Sequence, residues 1–122
     1  YNIIKRYRPK NIIEIGTSLG ISTAYMSSAS SSSSIITLEG NPSSSKKARI
    51  LFDKLKLTNI EIIEGEFGLT IDHALSVLGN IDCAFIDGNH KKQATINYFH
   101  QISERTCNSS FTIIDDIYWS IE

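Results

Sequence analysis

The sequence predicts one doubly wound, three-layer α/β domain, a parallel sheet between two layers of helices. Three observations carry this. Five short isoleucine-rich runs recur along the 122 residues. None alternates cleanly between apolar and polar, as expected of strands covered on both faces. The stretches between them carry apolar residues at helical spacing. Finally, the first run ends in a glycine-bearing turn and the second in a lone carboxylate, a pattern found where parallel strand ends face a ligand crevice.

The elements follow in order. The opening YNIIKRYRPK reads as a solvated helix or loop, with Lys5, Arg6, Arg8 and Lys10 on its surface. Asn11–Ile15 is the first strand, and Gly16 to Gly20 turn the chain into a short helix over 21–28. The second strand covers 35–38. Asn41 caps the next helix and Pro42 suits its first turn. Ala48, Leu51, Phe52 and Leu55 then place one apolar stripe toward the sheet. Strand three covers 60–63, and Ile71, Ala74, Leu75 and Leu78 repeat the stripe. Strand four covers 83–86, Ala94, Tyr98 and Ile102 mark a further helix, and strand five covers 111–114. Strict alternation implies right-handed crossovers. The serine-rich tract 27–34 reads as a flexible, exposed connection.

Composition narrows the partners. A net charge of −1 gives no reason to expect nucleic acid, and 41% hydrophobic with 20% charged residues is ordinary for a globular domain. No apolar stretch approaches bilayer length, and the first ten residues lack the uninterrupted apolar core of a signal peptide. Two cysteines do not make a disulfide framework; Cys83, in a strand-like run, reads as a buried reduced thiol. A cytoplasmic setting fits these features. The start at Tyr1 and the stop soon after the fifth strand read as a piece of a longer protein. An exposed fifth strand would then favour association between copies, leaving a homo-oligomer open.

Acids and glycines gather at the strand ends: Gly16, Glu39, Glu64 and Glu66, Asp87, and Asp115 with Asp116. A dinucleotide fingerprint would place glycines at 16, 18 and 21, but Ser18 and Ile21 break it. That counts against an NAD-dependent oxidoreductase. The phosphate-loop ending in Gly-Lys-Ser/Thr is also absent. A tight turn preceded by Glu14 suits a nucleoside with a cationic end. Glu39, roughly twenty residues beyond Gly16, is placed to accept hydrogen bonds from a ribose diol.

EIGTSLGIST at 14–23, TLEGNP at 37–42, FIDGNH at 85–90 and IIDDIYWS at 113–120 resemble a class I S-adenosylmethionine-dependent methyltransferase. The likeness is to the bacterial small-molecule O-methyltransferase-like group, related to the catechol and caffeoyl-CoA types. It implies a Rossmann-like sheet of order 3-2-1-4-5, here ending before strands six and seven. It also implies that Glu14, Gly16, Thr17, Ser18 and Gly20 line the methionine and ribose part of S-adenosylmethionine. Glu39 would hold the ribose hydroxyls beside Gly40 and Asn41, and Glu66 and Phe67 would lie near the adenine. Asp87 would lie by the methionine end and the acceptor.

The resemblance further implies a divalent ion, Mg²⁺ by its oxygen ligands, held by Asp87, Asp115 and Asp116. The opposing reading of Asp115 and Asp116 is a helix or turn cap. The catechol type has a lysine three residues after the strand-four acid. His90 stands there instead, and it is the candidate general base because imidazole titrates near neutrality. His73 and His100 read as surface residues, and Tyr118 and Trp119 as candidates to stack on an acceptor ring. The leading expectation is methyl transfer to a hydroxyl of a small molecule; the alternative is a domain of this fold that binds the cofactor without turnover.

Overall fold

The computed structural model describes residues 1–115. Ten elements alternate as expected: α1 (Asn2–Tyr7), β1 (Asn11–Ile15), α2 (Ile21–Ala29), β2 (Ser34–Glu39), α3 (Pro42–Lys54), β3 (Ile60–Glu64), α4 (Phe67–Leu78), β4 (Ile81–Ile86), α5 (Lys92–Ser103) and β5 (Thr106–Ile114). The five strands form one sheet in the order β3-β2-β1-β4-β5, and every pairing is parallel. Reversal of strand order at β1 opens a crevice between β1 and β4 at their carboxyl ends, where open α/β sheets bind ligands.

Side chains of each strand alternate between two covered faces, which is why the apolar runs show no in/out pattern. On one face, Ile12, Ile35 and Cys83 pack with Ile4 of α1 and Met26 of α2. Ala24, Ala48, Phe52 and Ile62 extend that layer over β3. On the other, Ile13, Ile15, Ile36, Leu38, Ala84 and Ile86 meet the stripe Ile71, Ala74, Leu75 and Leu78 of α4, with Tyr98 and Ile102 of α5. The α4 stripe is buried throughout. In α3 the stripe frays at its end, with Leu55 half exposed. Burial pushes the Cys83 thiol up to about 12, so it stays protonated.

Asn41 caps α3 as expected: its Oδ1 accepts from the Ser43 N–H at 2.9 Å, and Pro42 begins the helix. Strands β4 and β5 begin earlier than expected. The apolar count missed the polar start of β5, TCNSS, which pairs with β4 across an irregularity between Ile81 and Cys83.

The serine tract departs from expectation. It is folded, not a loose linker. Its first residues end α2, and Ser27, Ser30 and Ser33 are buried. Asn59, just before β3, accepts from the Ser27 hydroxyl at 2.5 Å and donates to the carbonyls of Ser30 at 3.3 Å and Ser33 at 2.9 Å. The Ser33 hydroxyl donates to the Pro9 carbonyl at 2.5 Å. Small hydroxyl side chains let this turn sink against its neighbours while every polar atom named here finds a partner.

Candidate functional site

The turn after β1 is fixed by backbone geometry. The N–H groups of Gly16 and Thr17 both donate to the Leu38 carbonyl at 3.0 Å, which pulls the turn toward the end of β2. Gly16 has φ of 101°, and a Cβ there would lie 2.3 Å from the carbonyl oxygen of Asp87. Only glycine allows this approach of β1 to β4. Gly20, by contrast, meets α3: a Cβ would strike the Phe52 ring at 2.8 Å and Ala48 at 2.9 Å. Its left-handed φ of 80° and this packing both favour a glycine.

Glu39 joins two loops. One carboxylate oxygen accepts from the Ser18 N–H at 2.7 Å, and the other accepts from the Asn41 N–H at 2.8 Å. Ser18 takes a left-handed φ of 50° to present that N–H. The carboxylate is 8% exposed. Each oxygen keeps a lone pair for a further donor. Gly40 follows with room around it, the nearest contact to an added Cβ being 3.7 Å away.

Glu14 lies beneath the turn, fully buried on the α2 face of the sheet. One of its oxygens accepts from the Thr23 hydroxyl of α2 and from the Thr37 hydroxyl of β2, the latter at 2.6 Å. Thr37 in turn shares a 2.7 Å hydrogen bond with Thr17 in the turn. The other carboxyl oxygen of Glu14 has no partner among the described residues. Burial pushes this carboxyl up to about 7. The two threonine bonds oppose that shift, and the negative charges of Asp87 and Glu39 add to it. Thr23 and Thr37 escaped the sequence reading. A signal was present, since Glu14 and Thr37 are register partners and each is a polar residue inside an apolar strand.

The β3 and β4 ends supply a more open rim. Glu66 is exposed at the start of α4. Phe67 packs its ring on Gly88, where a Cβ would come within 2.7 Å, and meets Tyr98 edge-on at a centroid distance of 6.1 Å. It thereby shapes the loop after β4. The half-buried Asp87 donates its N–H to the Ile15 carbonyl at 2.9 Å, and Asn89 donates its side-chain amide to the Tyr98 hydroxyl at 3.1 Å. His90 is exposed on this loop, and His73 and His100 are exposed on helices as expected. Asp115 follows β5, its N–H donating to the Ile86 carbonyl at 3.0 Å.

Asp87 and Asp115 therefore sit just past the paired residues Ile86 and Ile114. Among the described residues, no group of three or more His, Cys, Asp or Glu side chains is arranged to hold a metal ion. The third expected ligand, Asp116, lies outside the described residues, as do Tyr118 and Trp119. No helix among the described residues is long and apolar enough to cross a membrane.

Comparison with known proteins gives this geometry a context. A family profile described as a methyltransferase domain matches residues 13–117. A search of curated proteins finds no match. Among solved structures, an O-methyltransferase from Bacillus cereus in complex with SAH is 25% identical with a TM-score of 0.84, over 95% of this chain and 53% of that one. The O-methyltransferase TomG from Streptomyces achromogenes, involved in tomaymycin synthesis and in complex with SAM, is 20% identical with a TM-score of 0.86, over 97% and 53%. The SAH-bound methyltransferase PaMTH1 from Podospora anserina is 23% identical with a TM-score of 0.86, over 96% and 50%. This chain spans about half the length of these proteins.

Proposed function

The chain belongs to the methyltransferase-domain family, and from that premise we propose that it binds S-adenosylmethionine and serves methyl transfer to a hydroxyl of a small molecule. The observation that carries this reading is the Glu39 carboxylate, held at the rim by the N–H groups of Ser18 and Asn41. Its remaining lone pairs suit a ribose diol. The glycine turn beside it lacks the lysine of a phosphate loop and has Ser18 and Ile21 where a dinucleotide fingerprint places glycines. The first turn of α2 has no side-chain cap, so its N–H groups can receive the carboxylate of the methionine moiety.

Transfer is an in-line displacement. The acceptor oxygen forms a bond to the methyl carbon as the carbon–sulfur bond breaks, the electron pair stays on sulfur, and S-adenosylhomocysteine leaves. The acceptor hydroxyl must lose its proton, and His90 is the residue assigned to take it. The domain's contribution is alignment of the two reactants and exclusion of water.

Calorimetry with S-adenosylmethionine and S-adenosylhomocysteine tests the reading. Binding is expected for both, and absence of binding at millimolar ligand would overturn it. If His90 is the base, His90→Gln lowers the transfer rate about a hundredfold with ligand affinity unchanged. Chelation of divalent ions during the same assay tests whether Asp87, Asp115 and Asp116 contribute an ion. Binding without transfer across a panel of phenols and alcohols would favour a domain that retains the cofactor and lacks turnover.

A further inference from the structure

We propose that Glu14 is a positioning residue that carries a proton in the ligand-free protein and releases it to solvent when a ligand with fixed positive charge seats on the Gly16 turn. The inference rests on the S-adenosylmethionine reading above and extends it to a step no ligand contact requires.

The geometry is unusual for a carboxyl group. Glu14 is wholly buried, and only one of its oxygens is bonded, to hydroxyls from α2 and β2. The other oxygen is buried with no partner among the described residues. An ionised carboxylate in that setting has one oxygen without a donor, which costs more than leaving the carbonyl oxygen of a neutral acid unpaired. The groups acting on it from the packed elements are Glu39 at the end of β2, Asp87 just after β4 and Cys83 in β4. The first two are acids that disfavour a second nearby negative charge, and Cys83 stays neutral. Thr23 and Thr37 do not titrate near neutrality. No cationic side chain is among the groups acting on Glu14. A bound S-adenosylmethionine carries a sulfonium and an ammonium against one carboxylate, and its net positive charge would favour ionisation.

A hydrogen-bonded chain leads from Glu14 toward the turn. Thr37 bridges Glu14 to Thr17, which lies in the turn itself. With Glu14 protonated, its O–H donates to Thr37, which donates on to Thr17. With Glu14 ionised, Thr17 donates to Thr37 and Thr37 donates to the carboxylate. Ionisation therefore reverses the hydrogen-bond direction along the chain that anchors the turn.

The test is calorimetry at pH 7 in buffers of differing ionisation enthalpy, whose slope gives protons released. Three probes remove the positive charge stepwise: S-adenosylmethionine, S-adenosylhomocysteine without the sulfonium, and the uncharged methylthioadenosine, which also lacks the amino-acid arm. The Glu14→Gln slope is the baseline, because it retains any proton exchanged by the ligand's own amine. Wild type minus variant is expected to be up to about half a proton for S-adenosylmethionine, less for S-adenosylhomocysteine and near zero for methylthioadenosine. Equal slopes in wild type and variant would overturn the proposal. Failure of all three ligands to bind would overturn the ligand class beneath it. Should Glu14→Gln not fold, Thr37→Val serves: it removes a donor to the ionised form, so the pH midpoint of release is expected to rise, and an unmoved midpoint would overturn the proposal.

Discussion

The two halves of the strand-end rim are built differently. Around β1 and β2, Glu14, Thr17, Thr37 and Glu39 are buried and interlocked through one another and through backbone N–H groups of both loops. Around β4 and β5, His90 and Asp115 are exposed, and the loop between β4 and α5 is braced from behind by Phe67 and Tyr98. The first half has its shape before any ligand arrives, so it can bind with little ordering cost. The second presents the proposed base, His90, on the surface of a braced loop, where substitution is expected at small cost to the fold. On the proposed reading, binding and chemistry should therefore be separable by mutation.

Gly16→Ala should be the most damaging. A methyl group cannot share space with the Asp87 carbonyl, and alanine does not favour φ of 101°. A loss of about 4 kcal/mol in urea unfolding is expected from strain and forced separation of β1 from β4. A variant as stable as wild type would show that the close approach is not needed.

The next effect depends on pH. The Glu14 carboxyl is raised in the folded state from an ordinary 4.5 to about 7. Between those values the folded protein binds more protons than the unfolded chain, so stability falls as pH rises through this window and levels off above about 7. The loss is on the order of 3 kcal/mol. Glu14→Gln should flatten this part of the profile, as measured by denaturant unfolding at pH 5 and pH 8. A profile unchanged by the substitution would place the dependence on other groups.

Glu39→Ala should weaken S-adenosylhomocysteine binding about thirtyfold or more, by calorimetry, since a charge-assisted bond contributes about 2 kcal/mol. Removal of its two loop bonds should also be visible as a modest fall in stability. Finally, His90→Ala and Asp115→Ala should each alter unfolding free energy by less than about 0.5 kcal/mol, as expected of exposed positions. A large loss from either would erase the contrast between the two halves.

Much of this was legible in the chain. The five apolar runs and the intervening stripes fixed the element order, and with it the convergence of Gly16, Glu39, Asp87 and Asp115 at one end of the sheet. Local signals sufficed because strands and amphipathic helices are read from short windows. The Thr23 and Thr37 bonds to Glu14 went unread: polar Glu14 and Thr37 inside apolar strands were a signal, but their meeting depends on strand register and that of Thr23 on how α2 packs over the sheet. Gly20 was assigned to ligand contact, and its packing against Phe52 adds a reason that a turn motif cannot reveal. The serine tract misled because low complexity resembles a linker; its partners lie across the fold, at Pro9 and Asn59.

That clasp at Asn59 has a consequence for how the protein can drift over time. One amide collects a hydroxyl and two main-chain carbonyls from a stretch of near-identical residues. Substitutions at the exposed Ser31 and Ser32 leave those carbonyls untouched and should pass unnoticed. Replacement of Asn59 would remove three hydrogen bonds at once and leave the Ser33 bond to Pro9, so much of the order of the repetitive segment rests on one residue outside it.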